Sequence, residues 1–151
     1  MIGDVLHLML QSDVHRKWYI HDLERLIMPA IEAGKMKVFY EDGKPQGLYS
    51  HAFLTPEAAK GYLMKTRKLE PEDWFTDHES GTLYVIDMIA PYQNGFKIGR
   101  QVQKDLTDRY IDVYMKDGAF MKRVAKNDRL MYVTGVKDML DARRAEHELR
   151  A

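Results

Sequence analysis

The segment that most constrains this fold is the run from Thr82 to Ala90, TLYVIDMIA. It is apolar on both faces and rich in β-branched and aromatic side chains, which is typical of a strand buried inside a sheet. Pro91 follows directly and ends the run, because proline cannot donate to a ladder of backbone hydrogen bonds. The run therefore predicts a central strand that needs cover on both faces.

The segments around this strand alternate between helical and strand periodicity, in the order α, α, β, β, α, β, α, β, β, α. Pro29 predicts a kink in the second helix or the end of its regular part, and Gly34 predicts the C-terminal cap. The predicted fold class is α+β, a single-domain mixed sheet flanked by helices. The predicted helices cover Val5–Leu10, Leu23–Ile31, Thr55 to about Lys68, the stretch from Gly95 to Tyr110 and a charged stretch from Lys137; the predicted strands cover Met36–Tyr40, Gln46–Leu54, Thr82–Ala90, Ile111–Met115 and Arg129–Gly135.

Composition excludes several classes of protein. The chain has 151 residues and no repeat or linker, so one domain over residues 1–151 is expected. Its 23 basic residues balance 23 acidic ones, which argues against a broad electrostatic grip on nucleic acid or membrane. It has no cysteine, so disulfides and thiolate zinc sites are excluded. No apolar run approaches the roughly 20 residues of a membrane-spanning helix, and no secretion signal opens the chain, so an intracellular domain is expected.

His15 is the first candidate for chemistry. It lies in a polar segment, Ser12 to Trp18, that predicts a loop. Imidazole is the side chain whose ordinary pKa lies near neutrality, which suits a general base. A plain surface histidine is the alternative. Ser12 lacks the G-x-S-x-G elbow of a serine nucleophile.

Asp87 is the second candidate, near the carboxyl end of the predicted central strand. Strict strand alternation predicts that its side chain shares a face with Leu83, Val85 and Ile89. An ionised carboxylate among apolar neighbours is costly unless it is paired. Two interpretations stay open, a functional carboxylate and an aspartate that accepts backbone N–H bonds at a bulge.

The connection from Asp87 to Arg100 predicts a strand, a turn and a helix. A helix N-terminus after the Gly95 turn offers N–H groups to an anion, and Lys97 and Arg100 would add positive charge. The alternative is a simple strand-to-helix connection, because neither the Walker nor the dinucleotide fingerprint is present.

The histidines show no metal-ligand spacing. A basic cluster, interpreted as a solvated face or a dock for an acidic partner, comprises Lys122, Arg123, Lys126 and Arg129.

Taken together, these segments resemble the RTX toxin-activating lysine acyltransferases. The resemblance covers about residues 3–115 in order and fades beyond about Tyr114. Its most specific parts are S-x-x-H-R-x-W from Ser12 and I-D-x-I-A-P from Ile86. The other matching positions are Gly3-Asp4-Val5, Leu10, Leu26-Ile27-Met28-Pro29-Ala30-Ile31, Pro45, Leu54-Thr55-Pro56-Glu57, Glu72-Asp73-Trp74, Gly81 and Tyr92.

The resemblance implies a cytoplasmic bacterial enzyme with a fold like the Gcn5-related N-acetyltransferases. It would transfer a fatty acyl group from acyl carrier protein to internal lysines of an RTX protoxin. The family's essential histidine and aspartate fall on His15 and Asp87. No resident cofactor or metal is implied, and a homodimer is expected. The residues assigned to substrate or acyl-donor binding are Ser12, Arg16, Tyr92, Asn94, Gly95, Lys97, Arg100 and Lys104.

Several alternatives stay open from the sequence. Asp87 either orients His15 or positions the incoming amine, and His15 either acts as a base or is transiently acylated. A transferase of the same fold that uses acetyl-CoA is a rival function. A non-catalytic chaperone that binds the toxin is a rival from another class.

Overall fold

The computed structural model describes residues 1–64 and 66–107, together with the strands at 113–117, 120–124 and 130–135. The helices are α1 (Ile2–Gln11), α2 (Ile20–Asp22), α3 (Met28–Glu32), α4 (Pro56–Leu63) and α5 (Gly95–Thr107), with a π-helical turn at Leu23–Ile27 and 3₁₀ turns at His15–Lys17 and Pro71–Phe75. The strands are β1 (Met36–Glu41), β2 (Lys44–Leu54), β3 (Thr82–Ile89), β4 (Val113–Asp117), β5 (Phe120–Val124) and β6 (Leu130–Gly135).

The strands form one six-stranded sheet in the order β1-β2-β3-β4-β5-β6. Every neighbouring pair is antiparallel except β3 and β4, which run parallel. A parallel pair needs a crossover between its strands, and α5 lies in that connection. The prediction of a mixed α+β sheet with Thr82–Ala90 inside it is confirmed.

The hairpin between β1 and β2 is confirmed, and the residues of its turn account for the conformation of that turn. Asp42 and Gly43 have φ of 50° and 75°. Two successive positive φ values are the requirement of a type I′ turn, for which Asp-Gly is a preferred pair. This turn fixes the register of β2, the strand that pairs with Asp87 on its other side.

The interruption of regular helix predicted at Pro29 is also present. Pro29 lies at the start of α3, directly after the π-helical turn. Because proline has no N–H to give to the carbonyl of Arg25 four residues earlier, that oxygen accepts another donor. The indole Nε1 of the fully buried Trp74 donates to it at 2.7 Å. Gly34, with φ of 70°, ends this helical segment.

The sheet is covered on both faces, as the run in β3 predicts. We call the two sides the α1 face and the α5 face. The buried core of the α1 face comprises Val5, Leu8, Met9, Ile27, Ala30, Met36, Val38, Leu48, Ala52, Leu54, Ala58, Ala59, Leu63, Leu69, Trp74, Tyr84 and Ile89. The core of the α5 face comprises Tyr49, Phe53, Leu83, Val85, Ile98, Val102 and Leu106.

One predicted helix boundary is wrong, and one strand was not predicted. The helix α4 ends at Leu63 rather than near Lys68, because the chain turns back and the backbone N–H groups of Thr66 and Arg67 both donate to the Gly61 carbonyl. Strand β5 was not predicted. Its Lys122 and Arg123, interpreted as part of a solvated basic cluster, interrupt the apolar alternation by which a strand is recognised.

The other predictions near the C-terminus have mixed outcomes. Strand β4 begins two positions later than the predicted Ile111, while β6 matches the prediction at Arg129–Gly135 within one residue. The predicted helix from Lys137 lies outside the described residues, as do Tyr110, Lys126 and Arg129.

Candidate active site

A bulge in β3 decides which way Asp87 points. Ser50 pairs with Asp87 and the next residue, His51, pairs with Val85, so Ile86 is an extra residue in β3. Before the bulge, Leu83 and Val85 belong to the core of the α5 face, whereas Ile89 after it belongs to the α1 face. The prediction that Asp87 shares a face with Leu83 and Val85 is therefore wrong, because one extra residue reverses the alternation.

His15 reaches the same face from a different part of the chain. Helix α1 ends at Gln11, and the backbone carbonyl of Ser12 accepts the N–H of Arg16 to close a tight turn. The predicted loop is thus a turn that includes the 3₁₀ helix His15–Lys17. Trp18 packs beside the imidazole, with ring centroids 4.7 Å apart and the planes tilted by 47°. The turn and the indole together restrict the orientation of His15.

The two candidates meet directly. His15 Nε2 lies 3.0 Å from Asp87 Oδ1, across 72 positions of sequence. On the other side of the ring, Nδ1 lies 2.7 Å from Ser12 Oγ. The side chains of His15 and Asp87 are 10% and 18% exposed, so the pair is largely shielded but retains an opening to solvent.

These contacts define the protonation pattern of a neutral His15. An ionised carboxylate only accepts hydrogen bonds, so Nε2 carries the proton and donates to Asp87. Nδ1 is then the acceptor, and the Ser12 hydroxyl donates to it. The basic nitrogen of His15 therefore points away from Asp87 and towards Ser12.

A family model described as the RTX toxin acyltransferase family matches residues 1–131. This chain belongs to that family. The match extends beyond the region near residue 115 where the recognisable motifs end. The acyltransferase predicted from the resemblance is confirmed, and the chain is treated as an acyltransferase from here on.

Named relatives agree with this assignment. The chain is 28% identical to the RTX-II toxin-activating lysine-acyltransferase ApxIIC of Actinobacillus pleuropneumoniae, covering 87% of this chain and 89% of the relative. It is 26% identical to the leukotoxin-activating lysine-acyltransferase LktC of Mannheimia haemolytica serotype A1, covering 91% and 78%. It is 32% identical to the lysine-acyltransferase RtxC of Vibrio cholerae, covering 72% and 67%.

Two hydroxyl groups near the pair were missed by the sequence reasoning. Tyr62 of α4 packs at the edge of the α1 face core; burial, and secondarily the charge of Asp87, raise the pKa of its phenol. The phenol therefore stays neutral and can donate a hydrogen bond. Ser50 is completely buried opposite Asp87. The sequence signal for Ser50 is a lone hydroxyl in an apolar run. Tyr62 has no such signal in the sequence.

The Tyr92–Gly95 turn lies at the end of β3 and beside a surface depression. The phenol of Tyr92 contacts His7 Nε2 at 3.1 Å. Asn94 accepts the Tyr92 N–H at 3.3 Å and donates from Nδ2 to the Gln46 carbonyl at 3.0 Å, so its side chain ties the turn to β2. The depression has a volume of about 570 Å³ and is lined by Asp4, His7, Lys44, Pro45, Gln46 and Tyr92.

The remaining candidates do not join the His15–Asp87 pair. Arg16 is exposed on the turn beside His15. Lys97, Arg100 and Lys104 lie on α5, which packs on the opposite face of the sheet. Lys97 is 3.5 Å from the carboxylate of Glu41, and the guanidinium of Arg100 lies over the exposed ring of Phe96. These cations form an exposed basic stripe separate from the pair.

The described residues also bear on metal binding and membrane insertion. They contain no group of three or more histidine or acidic side chains that could hold a metal ion. In the same part of the chain, every helix is too short or too polar to cross a bilayer.

Proposed function

We propose that this acyltransferase moves a fatty acyl group from acyl carrier protein to the ε-amine of internal lysines in an RTX protoxin. The observation that carries the proposal is the 3.0 Å contact between His15 Nε2 and Asp87 Oδ1 in a member of this family. The names of the relatives, which describe toxin activation by lysine acylation, support the acceptor. A cytoplasmic homodimer is part of the proposal.

The reaction begins with removal of a proton from the substrate lysine. A lysine amine has an ordinary pKa of about 10.4 and is charged at neutral pH. Nδ1 of His15 takes that proton, and the pair with Asp87 stabilises the resulting imidazolium. The neutral amine then attacks the thioester carbonyl carbon, its nitrogen releases a second proton to solvent, an amide forms, and the carbon–sulfur bond breaks. His15 returns its proton to the departing thiolate.

The Ser12 hydroxyl occupies the position from which the amine must approach Nδ1. Its 2.7 Å contact with Nδ1 marks the direction of proton transfer. In this proposal the amine displaces the hydroxyl, and Ser12 carries no acyl group. The alternative, in which Ser12 is a nucleophile activated by His15, makes a different prediction.

We expect Ser12→Ala to retain at least about one tenth of the wild-type rate, because it removes one hydrogen bond. The initial rate of lysine acylation measures this, with Ser80→Ala, a distant exposed hydroxyl, as the control. A loss above about a thousandfold, with a hydroxylamine-sensitive acyl adduct on the wild-type enzyme, would establish the nucleophile instead.

The function itself is tested by intact mass. The enzyme is incubated with acyl carrier protein charged with chains of different length and with a lysine-containing RTX fragment. A mass gain on the fragment that resists hydroxylamine indicates an amide on lysine. A gain with acetyl-CoA alone would indicate a small-acyl transferase, and no gain with any donor would contradict the proposal.

We also propose that the basic stripe, defined as Lys97, Arg100 and Lys104, receives the acidic carrier protein. We expect the double variant Arg100→Glu, Lys104→Glu to raise the KM for acyl carrier protein about fivefold, because two attractive charges become repulsive. The effect should shrink as salt rises and screens exposed charges. Steady-state kinetics at two ionic strengths measure it.

The matched control is Lys60→Glu, Lys68→Glu, which makes the same change in net charge at exposed positions outside α5. An equal rise in KM for both double variants would show an effect of net charge. An unchanged KM in the α5 variant would place the carrier elsewhere.

A further inference from the structure

Ser50 stands out among the buried polar groups of this enzyme. It lies in the middle of β2 with no exposed surface, and its Oγ has no hydrogen-bond partner among the residues that the structure describes. Buried polar groups are nearly always paired, and an unpaired one lowers stability. Alanine would fill this position without that cost, so the hydroxyl needs a functional reason.

The strand geometry places Ser50 on the same face of the sheet as the His15–Asp87 pair. Its neighbours Tyr49 and Phe53 belong to the α5 face, whereas Leu48 and Ala52 belong to the α1 face. By alternation, Ser50 lies on the α1 face, the side on which His15 meets Asp87. Ser50 also pairs in register with Asp87. Opposite residues in an antiparallel pair have Cβ atoms about 4.5–5.5 Å apart, within reach of a hydroxyl and a carboxylate.

We propose, resting on the function proposed above, that Ser50 is a positioning residue for Asp87. Its Oγ donates to the carboxylate oxygen that His15 does not use, once substrates fill the site. In the free enzyme, Asp87 is 18% exposed, so water can solvate that oxygen. The acyl chain and the incoming lysine displace this water, and the carboxylate then needs another donor. Ser50 supplies it and keeps Oδ1 on Nε2.

The test compares the effects of substitution on kcat and on KM, and it also measures the melting temperature. We expect Ser50→Ala to lower kcat about tenfold, the effect of losing one hydrogen bond to a charged group, while the KM values for both substrates stay unchanged. The melting temperature of the free enzyme should stay level or rise, because the unpaired hydroxyl is gone. Ser50→Thr, which keeps the hydroxyl, should restore kcat. If the added methyl lowers the melting temperature, Ser50→Cys, a weak donor, should give an intermediate kcat.

Ala52→Gly is the matched control, since it removes one buried carbon on the same face of the same strand. It should lower the melting temperature and leave kcat unchanged. Wild-type kcat in Ser50→Ala would overturn this inference alone. Loss of kcat in proportion to stability in both variants would show that Ser50 only packs. A wild-type enzyme that transfers no acyl group would overturn the proposed function and this inference with it.

Discussion

Replacing His15 by alanine is expected to lower the rate of lysine acylation about a thousandfold at pH 7, the usual contribution of a positioned general base. The imidazole stands 3.0 Å from Asp87 and 2.7 Å from Ser12, and no other histidine is held between two such partners in the described part of the chain. Single-turnover acylation of an RTX fragment, followed by intact mass, measures the loss.

The pH dependence of this variant separates a base from a structural residue. Without His15, the reaction depends on the small fraction of lysine that is already neutral. That fraction rises about tenfold for each pH unit below the ordinary lysine pKa of about 10.4. The deficit of His15→Ala should therefore shrink between pH 7 and pH 9. A constant deficit across that range would contradict the role of base.

The control for His15→Ala is His21→Ala. The His21 side chain is 59% exposed and its nearest acidic partner is the adjacent Asp22, so its removal should leave the rate unchanged. Added imidazole should restore part of the activity of His15→Ala, because the space beside Trp18 is left open. It should have no effect on the wild-type enzyme.

Replacing Asp87 by asparagine is expected to be as damaging, with a loss of about 10³- to 10⁴-fold in kcat. The asparagine amide can donate a hydrogen bond to Nε2, which the carboxylate cannot. Nε2 then becomes the acceptor, the ring proton moves to Nδ1, and the nitrogen that must receive the lysine proton is blocked. Asp87→Ala forces no such tautomer and should lose less activity than Asp87→Asn.

Nitrogen NMR of the His15 ring checks the cause independently of catalysis. The wild-type enzyme should show the Nε2–H tautomer, and Asp87→Asn should show the Nδ1–H tautomer. The melting temperature of the variant should not fall, since a partly buried charge has been removed. An Asp87→Asn variant with unchanged tautomer and wild-type kcat would exclude the proposed role of Asp87.

Much of the fold could be predicted because its local signals are strong. Three local patterns each predict one structure: the apolar run of β3, the Asp42-Gly43 turn and the helix start at Thr55-Pro56. The structure confirms all three, and Thr55 Oγ1 caps α4 by accepting the N–H of Ala58 at 3.2 Å. Strand β5 could not be predicted, because two of its five residues, Lys122 and Arg123, are charged.

The site was less accessible to sequence reasoning. His15 and Asp87 were placed together by resemblance, since no local pattern links residues 72 positions apart. The face of Asp87 was predicted wrongly, because a bulge at Ile86 leaves no mark in an apolar run. Ser50 was hidden for the same reason, as burial and strand pairing are properties of the assembled sheet.

The contact between His15 and Asp87 joins two segments that lie 72 positions apart in the chain. His15 is carried by a turn after α1, whereas Asp87 belongs to the middle of the sheet. The reactive centre therefore exists only while the N-terminal helices remain docked. Detachment of those helices would uncover the α1 face of the sheet, leave Asp87 without His15 and end acyl transfer. Activity in this enzyme is thus a direct gauge of whether its N-terminal helices are docked.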